Sequence, residues 1–250
     1  MKVTVIGSGN MGGALIRGWH KAGGIEITAT AHTQTTLDKL AADCPGIKVT
    51  TDNAFAVKDA DIVVLAVKPW LVEQVIKEIL PILRLDTQTI VSVAANVGTQ
   101  QLREMLGSDS AKVVYAMPNI AAEYGESMTF MTCDSAKTLF EKVGKVQVVE
   151  ERLMGAGMMM AGCGIAYVMR YLRAMQEGGV EMGFYPHVAQ EIAMQTMQGA
   201  VTLLKETGLH PETAIDKVTT PGGITIKGLN ELDHAGFNSA VIRILKAGLK

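Results

Sequence analysis

The feature that most constrains the fold is a regular alternation of two patterns over residues 1–150. Short runs rich in β-branched residues recur, and segments with helical character lie between them. The apolar runs are Val3–Ile6, Ile25–Ala29, Ile62–Val67, Thr89–Val93 and Val113–Met117. The helical segments are Gly12–Ala22, Thr35–Ala42, Trp70–Leu80 and Thr99–Leu106. Strands that are apolar on both sides are typical of a parallel sheet covered by helices on both faces, so the pattern predicts a doubly wound α/β domain.

Two more short apolar runs, Met128–Met131 and Val146–Val149, are expected to add strands at one edge of this sheet. After residue 150 the strand pattern stops, and helical patterns cover Met154–Ala174, Val188–Thr207 and Phe237–Ala247. We therefore expect two domains, an α/β domain over residues 1–150 and an all-helical domain over residues 151–250.

Charge and cysteine content exclude several classes of partner. The 250 residues carry a formal net charge of -2, which gives no broad basic surface for a nucleic-acid backbone. Cys44, Cys133 and Cys163 are far apart and odd in number, so neither a disulfide framework nor a zinc site is expected. We expect no metal, no nucleic-acid partner and a location in the reducing cytoplasm.

One segment, Leu153–Met169, carries no charge over 17 residues. That length is at the short end of the range for membrane-spanning helices, which is about 17–25 residues. The segment also contains four glycines, and the chain has no second span of this kind. We therefore favour a buried helix or packed turn and expect no membrane partner. The many methionines after residue 153 are expected to fill the core or a subunit interface rather than form a ligand-binding surface.

A glycine motif follows the first apolar run directly and opens a helix. It reads Gly7-Ser8-Gly9-Asn10-Met11-Gly12, and this position between strand and helix is typical of the Rossmann dinucleotide-binding turn. The first glycine permits the tight turn, the second lets the backbone approach a pyrophosphate, and the third lets the helix pack on the strand. We expect all six residues to contact a dinucleotide, with its pyrophosphate at the helix N-terminus.

The choice between NAD and NADP depends on the end of the second strand. An NAD site places an acidic residue there, but residues 30–36 contain none. Hydroxyl groups and an imidazole can bind a 2′-phosphate, so we predict NADPH, with NADH as the alternative, and contacts from His32 and Thr33. The alternative for His32 is an exposed loop histidine without a ligand.

The ends of later strands supply further candidates, because ligands of open α/β sheets lie beyond the carboxyl ends of the strands. Ala66, Val67 and Lys68 end one strand and should border the cofactor. Ala94 and Asn96 end the next strand and, with Met117-Pro118-Asn119, should line its nicotinamide end.

A second motif lies in the helical region, in Val218-Thr219-Thr220-Pro221-Gly222-Gly223-Ile224-Thr225. Glycine N–H groups and the start of a helix near Ile224 could hold a small carboxylate. A capped turn between helices would explain the same residues. The composition of the loop does not separate the two interpretations.

With both motifs the chain resembles the pyrroline-5-carboxylate reductases almost from end to end. Besides the glycine motif, the shared segments are Leu65–Pro69, Ala116–Asn119, Glu177–Val180, Gln195–Ala200, His210-Pro211 and Val218–Thr225. The resemblance implies reduction of 1-pyrroline-5-carboxylate to L-proline, the last step of proline biosynthesis, by hydride transfer from NADPH or NADH. It also implies a Rossmann domain followed by a helical domain that forms an intertwined homodimer, with larger homo-oligomers in some members.

The resemblance further assigns roles to individual residues. It implies that Thr220, Gly222 and Gly223 bind the substrate carboxylate. It implies that Thr225 is the catalytic hydroxyl near the ring nitrogen, and that Asn53 lies beside the adenosine of the cofactor.

Three segments depart from the family pattern. The family's usual Ala-Ala-Gly-Val is Ala94-Ala95-Asn96-Val97, its Met-Pro-Asn-Thr-Pro is Met117–Ala121, and its Ser-Gly-Ser-Gly-Pro-Ala-Tyr is Ala161–Tyr167. These departures keep two alternatives open. One is a reductase of another small imine or a hydroxy acid on the same scaffold, and the other is a non-catalytic NADP-binding regulator.

Overall fold

A computed structural model describes residues 1–249 and divides the chain into two compact units. The first unit is Met1–Cys163, and the second begins at Gly164. The first unit contains every strand of the described residues, and the second is entirely helical, as predicted. The domain division predicted at residue 150 stays a prediction.

The first unit is built on one sheet of eight strands in the order β3-β2-β1-β4-β5-β6-β7-β8. All neighbouring strands are parallel except β6 and β7, which are antiparallel. The strands are β1 Lys2–Ile6, β2 Glu26–Thr30, β3 Lys48–Thr50, β4 Ile62–Leu65, β5 Thr89–Ser92, β6 Lys112–Met117, β7 Ser127–Met131 and β8 Gly144–Val148. The two late apolar runs therefore form the edge predicted for them. Strand β3 was not predicted, because three residues with one apolar side chain give no alternation to detect.

Helices cover both faces of this sheet. They are α1 Asn10–Ala22, α2 Gln34–Asp43, α3 Asn53–Val57, α4 Val72–Ile79, α5 Thr99–Leu106, α6 Lys137–Phe140 and α7 Met154–Gly157. Short 3-10 turns span Pro69–Leu71, Ile120–Tyr124, Glu141–Val143 and Glu151–Leu153, and a π-helical turn spans Met158–Gly162.

Two hydrophobic cores lie on the opposite faces of the sheet, as the doubly apolar strands require. Trp19 of α1 is fully buried in the first core. Its indole N–H donates to the carbonyl of Leu139 at 2.9 Å, and its ring meets Phe140 edge-on with centroids 5.5 Å apart. In the second core, Ile76 of α4 and Leu102 of α5 are fully buried. The prediction of a doubly wound α/β fold is confirmed.

Up to residue 249 the second unit contains five helices, which are α8 Gly164–Glu181, α9 Pro186–Thr207, α10 Pro211–Val218, α11 Ile224–His234 and α12 Phe237–Ala247. Helix α8 packs closely along α9 where Gly179 meets Ala189, since a Cβ on Gly179 would lie 2.9 Å from the Cβ of Ala189. The rings of Tyr171 and Phe237 hold α8 against α12 with centroids 6.1 Å apart. Helix α10 was not predicted, although Pro211 at its first position is a typical helix start.

The long apolar segment Leu153–Met169 is buried only in part, because Met154 and Met159 lie in the core while other residues of the segment lie on the surface. The helical stretch Glu151–Glu181 is long and apolar enough to cross a membrane, and 22% of its most apolar part is buried. Met160 is 66% exposed and Met169 is 53% exposed. The physical reason is that α8 contacts its unit mainly along α9, which leaves its other apolar side chains on the surface.

Candidate functional site

The glycine turn after β1 has the geometry predicted for it. Gly7 has a φ of +98°, and its N–H donates to the carbonyl of Thr30 at 3.2 Å. A Cβ on Gly12 would collide with the carbonyl oxygen of Gly7, so only glycine lets α1 begin this close to the turn. By contrast, within residues 1–249 no heavy atom outside the neighbouring residues lies within 4 Å of a Cβ built on Gly9. The backbone at Gly9 can therefore be approached closely by a ligand.

The N-terminus of α1 provides groups that suit a pyrophosphate. The helix begins at Asn10, two residues before the predicted segment Gly12–Ala22, and its N-cap is Gly9, which has no side chain to bind the first N–H groups. The first turn contains no acidic residue. These N–H groups and the positive end of the helix favour an anion. The hydroxyl of Ser8 serves the turn itself, because it donates to the carbonyl of Thr30 at 2.8 Å.

The residues after β2 are open to solvent. His32 and Thr33 are both exposed, and the Thr33 hydroxyl caps α2 by accepting from the N–H of Thr36 at 3.4 Å. The first turn of α2 also contains no acidic residue. The contacts of His32 and Thr33 with a cofactor stay predictions.

Asn53 begins α3 and is held by two hydrogen bonds. The hydroxyl of Thr30 donates to its Oδ1 at 2.6 Å, and its Nδ2 donates to a carboxylate oxygen of Glu78 at 3.0 Å. Thr30 lies at the end of β2, so the structure brings Asn53 to the same edge of the sheet as the glycine turn. Glu78 was not predicted, because it lies within the α4 pattern and its contact with Asn53 depends on the packing of α3 on α4.

The segment after β4 packs against the glycine turn. A Cβ on Gly7 would lie 2.8 Å from the carbonyl oxygen of Ala66 and 2.9 Å from a methyl group of Val67. Lys68 is exposed at the end of this segment. The structure therefore places Ala66 and Val67 against the glycine turn, and the contacts of Ala66, Val67 and Lys68 with a cofactor stay predictions.

The segment after β5 is a tight turn with an unusual backbone. The N–H of Val97 donates to the carbonyl of Ala94 at 3.4 Å, and Asn96 between them has a φ of +61°. The N–H of Asn96 donates to the hydroxyl of Tyr115 at 3.0 Å. Burial raises the pKa of Tyr115, which outweighs the opposing effect of this hydrogen bond, so the hydroxyl is protonated at neutral pH. Tyr115 was not predicted, although it is the one hydroxyl-bearing side chain of β6.

A cavity of the first unit lies elsewhere. It has a volume of about 520 Å³, and Lys2, Glu26 and Lys48 at the amino ends of β1, β2 and β3 line it. The glycine turn lies at the opposite, carboxyl ends of the parallel strands. This cavity is therefore separate from the candidate cofactor site.

The loop before α11 forms a group of its own within the second unit. The N–H of Gly223 donates to the carbonyl of Thr220 at 2.9 Å, and Gly222 has a φ of +71°. Gly223 is the N-cap of α11, and the hydroxyl of Thr219, the C-cap of α10, donates to the carbonyl of Asp216 at 3.1 Å. The interpretation as a capped turn between helices therefore stays open. Thr225 is exposed in the first turn. Binding of a carboxylate by Thr220, Gly222 and Gly223, and the role of Thr225, stay predictions.

Comparison with known proteins decides the family. Residues 2–96 match a family model described as NADP oxidoreductase coenzyme F420-dependent, and residues 151–250 match one described as pyrroline-5-carboxylate reductase dimerisation. The chain is 36% identical to a pyrroline-5-carboxylate reductase of Methanosarcina acetivorans, over 97% of the chain and 94% of that protein. The chain belongs to the pyrroline-5-carboxylate reductase family.

Other members of the reductase family support the assignment. A solved structure of the Plasmodium falciparum pyrroline carboxylate reductase with NADP bound is 25% identical, with a TM-score of 0.87 over 99% of this chain and 95% of that one. Pyrroline-5-carboxylate reductase 1 of Dictyostelium discoideum is 35% identical over 96% of this chain, which spans only 47% of that longer protein. The family resemblance predicted from the motifs is confirmed.

Two of the three segments that depart from the family pattern meet in the structure. Asn119 is buried, its Oδ1 accepts from the N–H of Ala121 at 3.0 Å, and its Nδ2 donates to the carbonyl of Ala161 at 3.3 Å. Ala161 belongs to the π-helical turn, which closes where the N–H of Cys163 donates to the carbonyl of Met158 at 2.7 Å. The amide N–H of Asn119 thus links the two departing segments of the reductase, while its oxygen holds the turn at Ala121.

Proposed function

We propose that this chain reduces 1-pyrroline-5-carboxylate to L-proline by hydride transfer from NAD(P)H. The observation that carries this proposal is the 36% identity to the Methanosarcina acetivorans reductase, which spans 97% of the chain and so covers both units. A fold match or a glycine motif alone would support only a dinucleotide-binding protein.

The first unit binds the cofactor, whose reduced nicotinamide supplies the hydride. The N–H groups of α1 hold the pyrophosphate, with Gly7, Ser8, Gly9, Asn10, Met11 and Gly12 forming the turn around it. Asn53 binds the adenosine, Ala66, Val67 and Lys68 border the pyrophosphate, and Ala94 and Asn96 line the nicotinamide end. NADPH is preferred over NADH, since no carboxylate beside His32 and Thr33 repels a 2′-phosphate.

The second unit binds the substrate through the loop before α11. Thr220, Gly222 and Gly223 hold its carboxylate at the start of this 11-residue helix. The hydride adds to C5 of the imine, the C=N double bond becomes a single bond, and the ring nitrogen carries the proton. A protonated imine is already a good hydride acceptor, so the chain needs no strong acid. Thr225 orients the ring nitrogen through its hydroxyl, and positioning of the two reactants supplies much of the rate.

The helical region also forms a homodimer, in keeping with the match of residues 151–250 to the family's dimerisation model. Apolar side chains that a single chain leaves exposed support this assembly. They include Val168, Met169 and Val180 of α8, Ile192 and Met194 of α9, and Val241 and Ile242 of α12. Larger homo-oligomers and a cytoplasmic location stay predictions.

The test is the oxidation of NADPH by the purified protein with 1-pyrroline-5-carboxylate, compared with NADH. Thr225→Ala should lower kcat/KM about tenfold or more, the size of one lost hydrogen bond in the transition state, and Thr225→Ser should restore most of it. Thr213→Ala, an exposed substitution on α10, is the matched control and should change kcat/KM less than twofold. If NADPH binds but no imine is reduced, this chain does not carry out the proline-forming reaction. The chain is then a reductase of another substrate or a non-catalytic NADP-binding regulator.

A further inference from the structure

The turn Ala94–Val97 holds a backbone conformation that its sequence does not favour. Asn96 is the one non-glycine residue of residues 1–249 with a positive φ. This turn needs a left-handed residue at its third position, where glycine is free of strain and asparagine is tolerated at a cost. The conformation therefore depends on interactions that hold it.

Tyr115 supplies the interaction at Asn96 itself. The hydroxyl accepts the N–H of Asn96 at 3.0 Å, and the ring is buried in a small cluster with Met117 and Met154. Because the ring extends from the neighbouring strand β6, its position is set by the sheet rather than by the turn. Tyr115, whose position is fixed by the sheet, therefore holds the strained backbone of Asn96 in place.

Two further contacts fix the segments on either side of the turn. On the strand side, the N–H of Ala94 donates to the hydroxyl of Ser92 at 3.2 Å. On the helix side, Glu151 accepts the N–H of Thr99 at 2.9 Å and also the hydroxyl of Thr99. Both ends are therefore held, and the left-handed residue in the middle is held by Tyr115.

We propose that Tyr115 is a positioning residue that sets the Ala94–Val97 turn for the nicotinamide end of the cofactor. This role rests on the proposed function, which places the nicotinamide at the end of β5. Tyr115 acts through the backbone of Asn96. The adenosine end of the cofactor lies at the carboxyl ends of β1, β2 and β3. A change in the Ala94–Val97 turn should therefore alter binding of the nicotinamide half of the cofactor and leave binding of the adenosine half unchanged.

The experiment is a double-mutant cycle on Tyr115→Phe and Asn96→Gly, read by binding. Tyr115→Phe keeps the ring in its cluster and removes only the hydroxyl acceptor. The Kd is measured for NADPH and for adenosine 2′,5′-bisphosphate, which lacks the nicotinamide. Hydrogen exchange of peptides spanning residues 94–98 reports on the turn without any ligand. Tyr124→Phe, on a ring that is 74% exposed, is the matched control.

Tyr115→Phe should weaken NADPH binding about five- to tenfold, the size of one hydrogen bond, and should speed exchange in residues 94–98. Binding of adenosine 2′,5′-bisphosphate should change less than twofold. In the Asn96→Gly background the loss caused by Tyr115→Phe should fall below about threefold, because glycine adopts the left-handed conformation without the tyrosine.

Equal losses for both ligands would show a general structural effect and overturn the proposal. An unchanged Kd for NADPH, or the same loss in both backgrounds, would also overturn it. Failure of the unaltered protein to bind NADPH would overturn the cofactor site and this role with it. Intact binding without turnover of the imine would overturn the proposed reaction alone and leave the role of Tyr115 supported by the cycle.

Discussion

Gly12→Ala tests whether the start of α1 must lie flush against the glycine turn. A Cβ at this position would collide with the carbonyl oxygen of Gly7 and would lie 3.1 Å from the Cβ of Ala66. Both neighbours are fixed, one as backbone and the other at the end of β4. The helix or the turn must therefore move, and the N–H groups that suit a pyrophosphate move with it.

The size of the effect follows from two opposing terms. Overpacking a fixed site costs about 1–3 kcal/mol, and replacing a helical glycine by alanine returns about 0.5–1 kcal/mol. The difference is a net loss of up to about 2.5 kcal/mol, and the fixed neighbours of Gly12 place it at about 1–2.5 kcal/mol, which lowers the Tm of a chain of this size by roughly 2–10 °C. A displaced pyrophosphate site should weaken NADPH binding at least about tenfold, which corresponds to about 1.4 kcal/mol.

The adjacent glycine gives a matched control. A Cβ on Gly13 would meet only the flexible end of Arg17 at 3.1 Å and the carbonyl of Ser8 at 3.7 Å. Gly13→Ala should therefore leave NADPH binding within about twofold and keep or raise the Tm, through helix propensity of about 0.5–1 kcal/mol. Thermal unfolding and fluorescence titration with NADPH measure both quantities. If Gly12→Ala keeps the Tm and Kd of the unaltered protein, or if Gly13→Ala loses as much, the close packing of α1 on the turn does not determine the site.

Three further results are expected. Gly144→Ala should lower the Tm by more than about 4 °C, because its φ of +144° and the backbone of the facing strand both exclude a Cβ. Gly46→Ala has a φ of +91° but open space around it, so it should lower the Tm by less in the same melting experiment. Cys44 is buried and its pKa is raised, mainly by desolvation, so at pH 8 a smaller fraction of it is the reactive thiolate. Iodoacetamide should therefore label Cys133 well before Cys44, and equal labelling rates measured by peptide mass spectrometry would contradict this. Met169→Glu places a charge on the apolar face of α8, so it should shift the protein to the monomer in sedimentation experiments. An unchanged mass would show that this face of α8 is not the dimer contact.

The sequence patterns predicted the architecture of the first unit well, because a buried strand and an amphipathic helix are short-range signals. The run Val113–Met117 is apolar on both faces whatever it packs against, and it became β6. The glycine motif worked for the same reason, since the turn, the helix start and the strand before it are neighbours in the chain. Short elements such as β3 gave no signal of this kind.

The fate of the apolar segment after residue 153 could not be read in the same way. Its composition requires burial in an apolar environment, but it does not say whether that environment is the core, a membrane or a second subunit. The structure buries part of the segment in the core of the same chain, and for the exposed remainder the family assignment favours the second subunit.

The sequence by itself therefore determined the doubly wound sheet, the glycine turn and the family, because each depends on residues close together in the chain or on a pattern spread along its whole length. Only the tertiary structure decided which side chains support the candidate site. Tyr115 reaches Asn96 across 19 residues, and Glu151 reaches Thr99 across 52. Such contacts follow from strand order and register, which bring distant residues together by packing and leave no local signal at either residue.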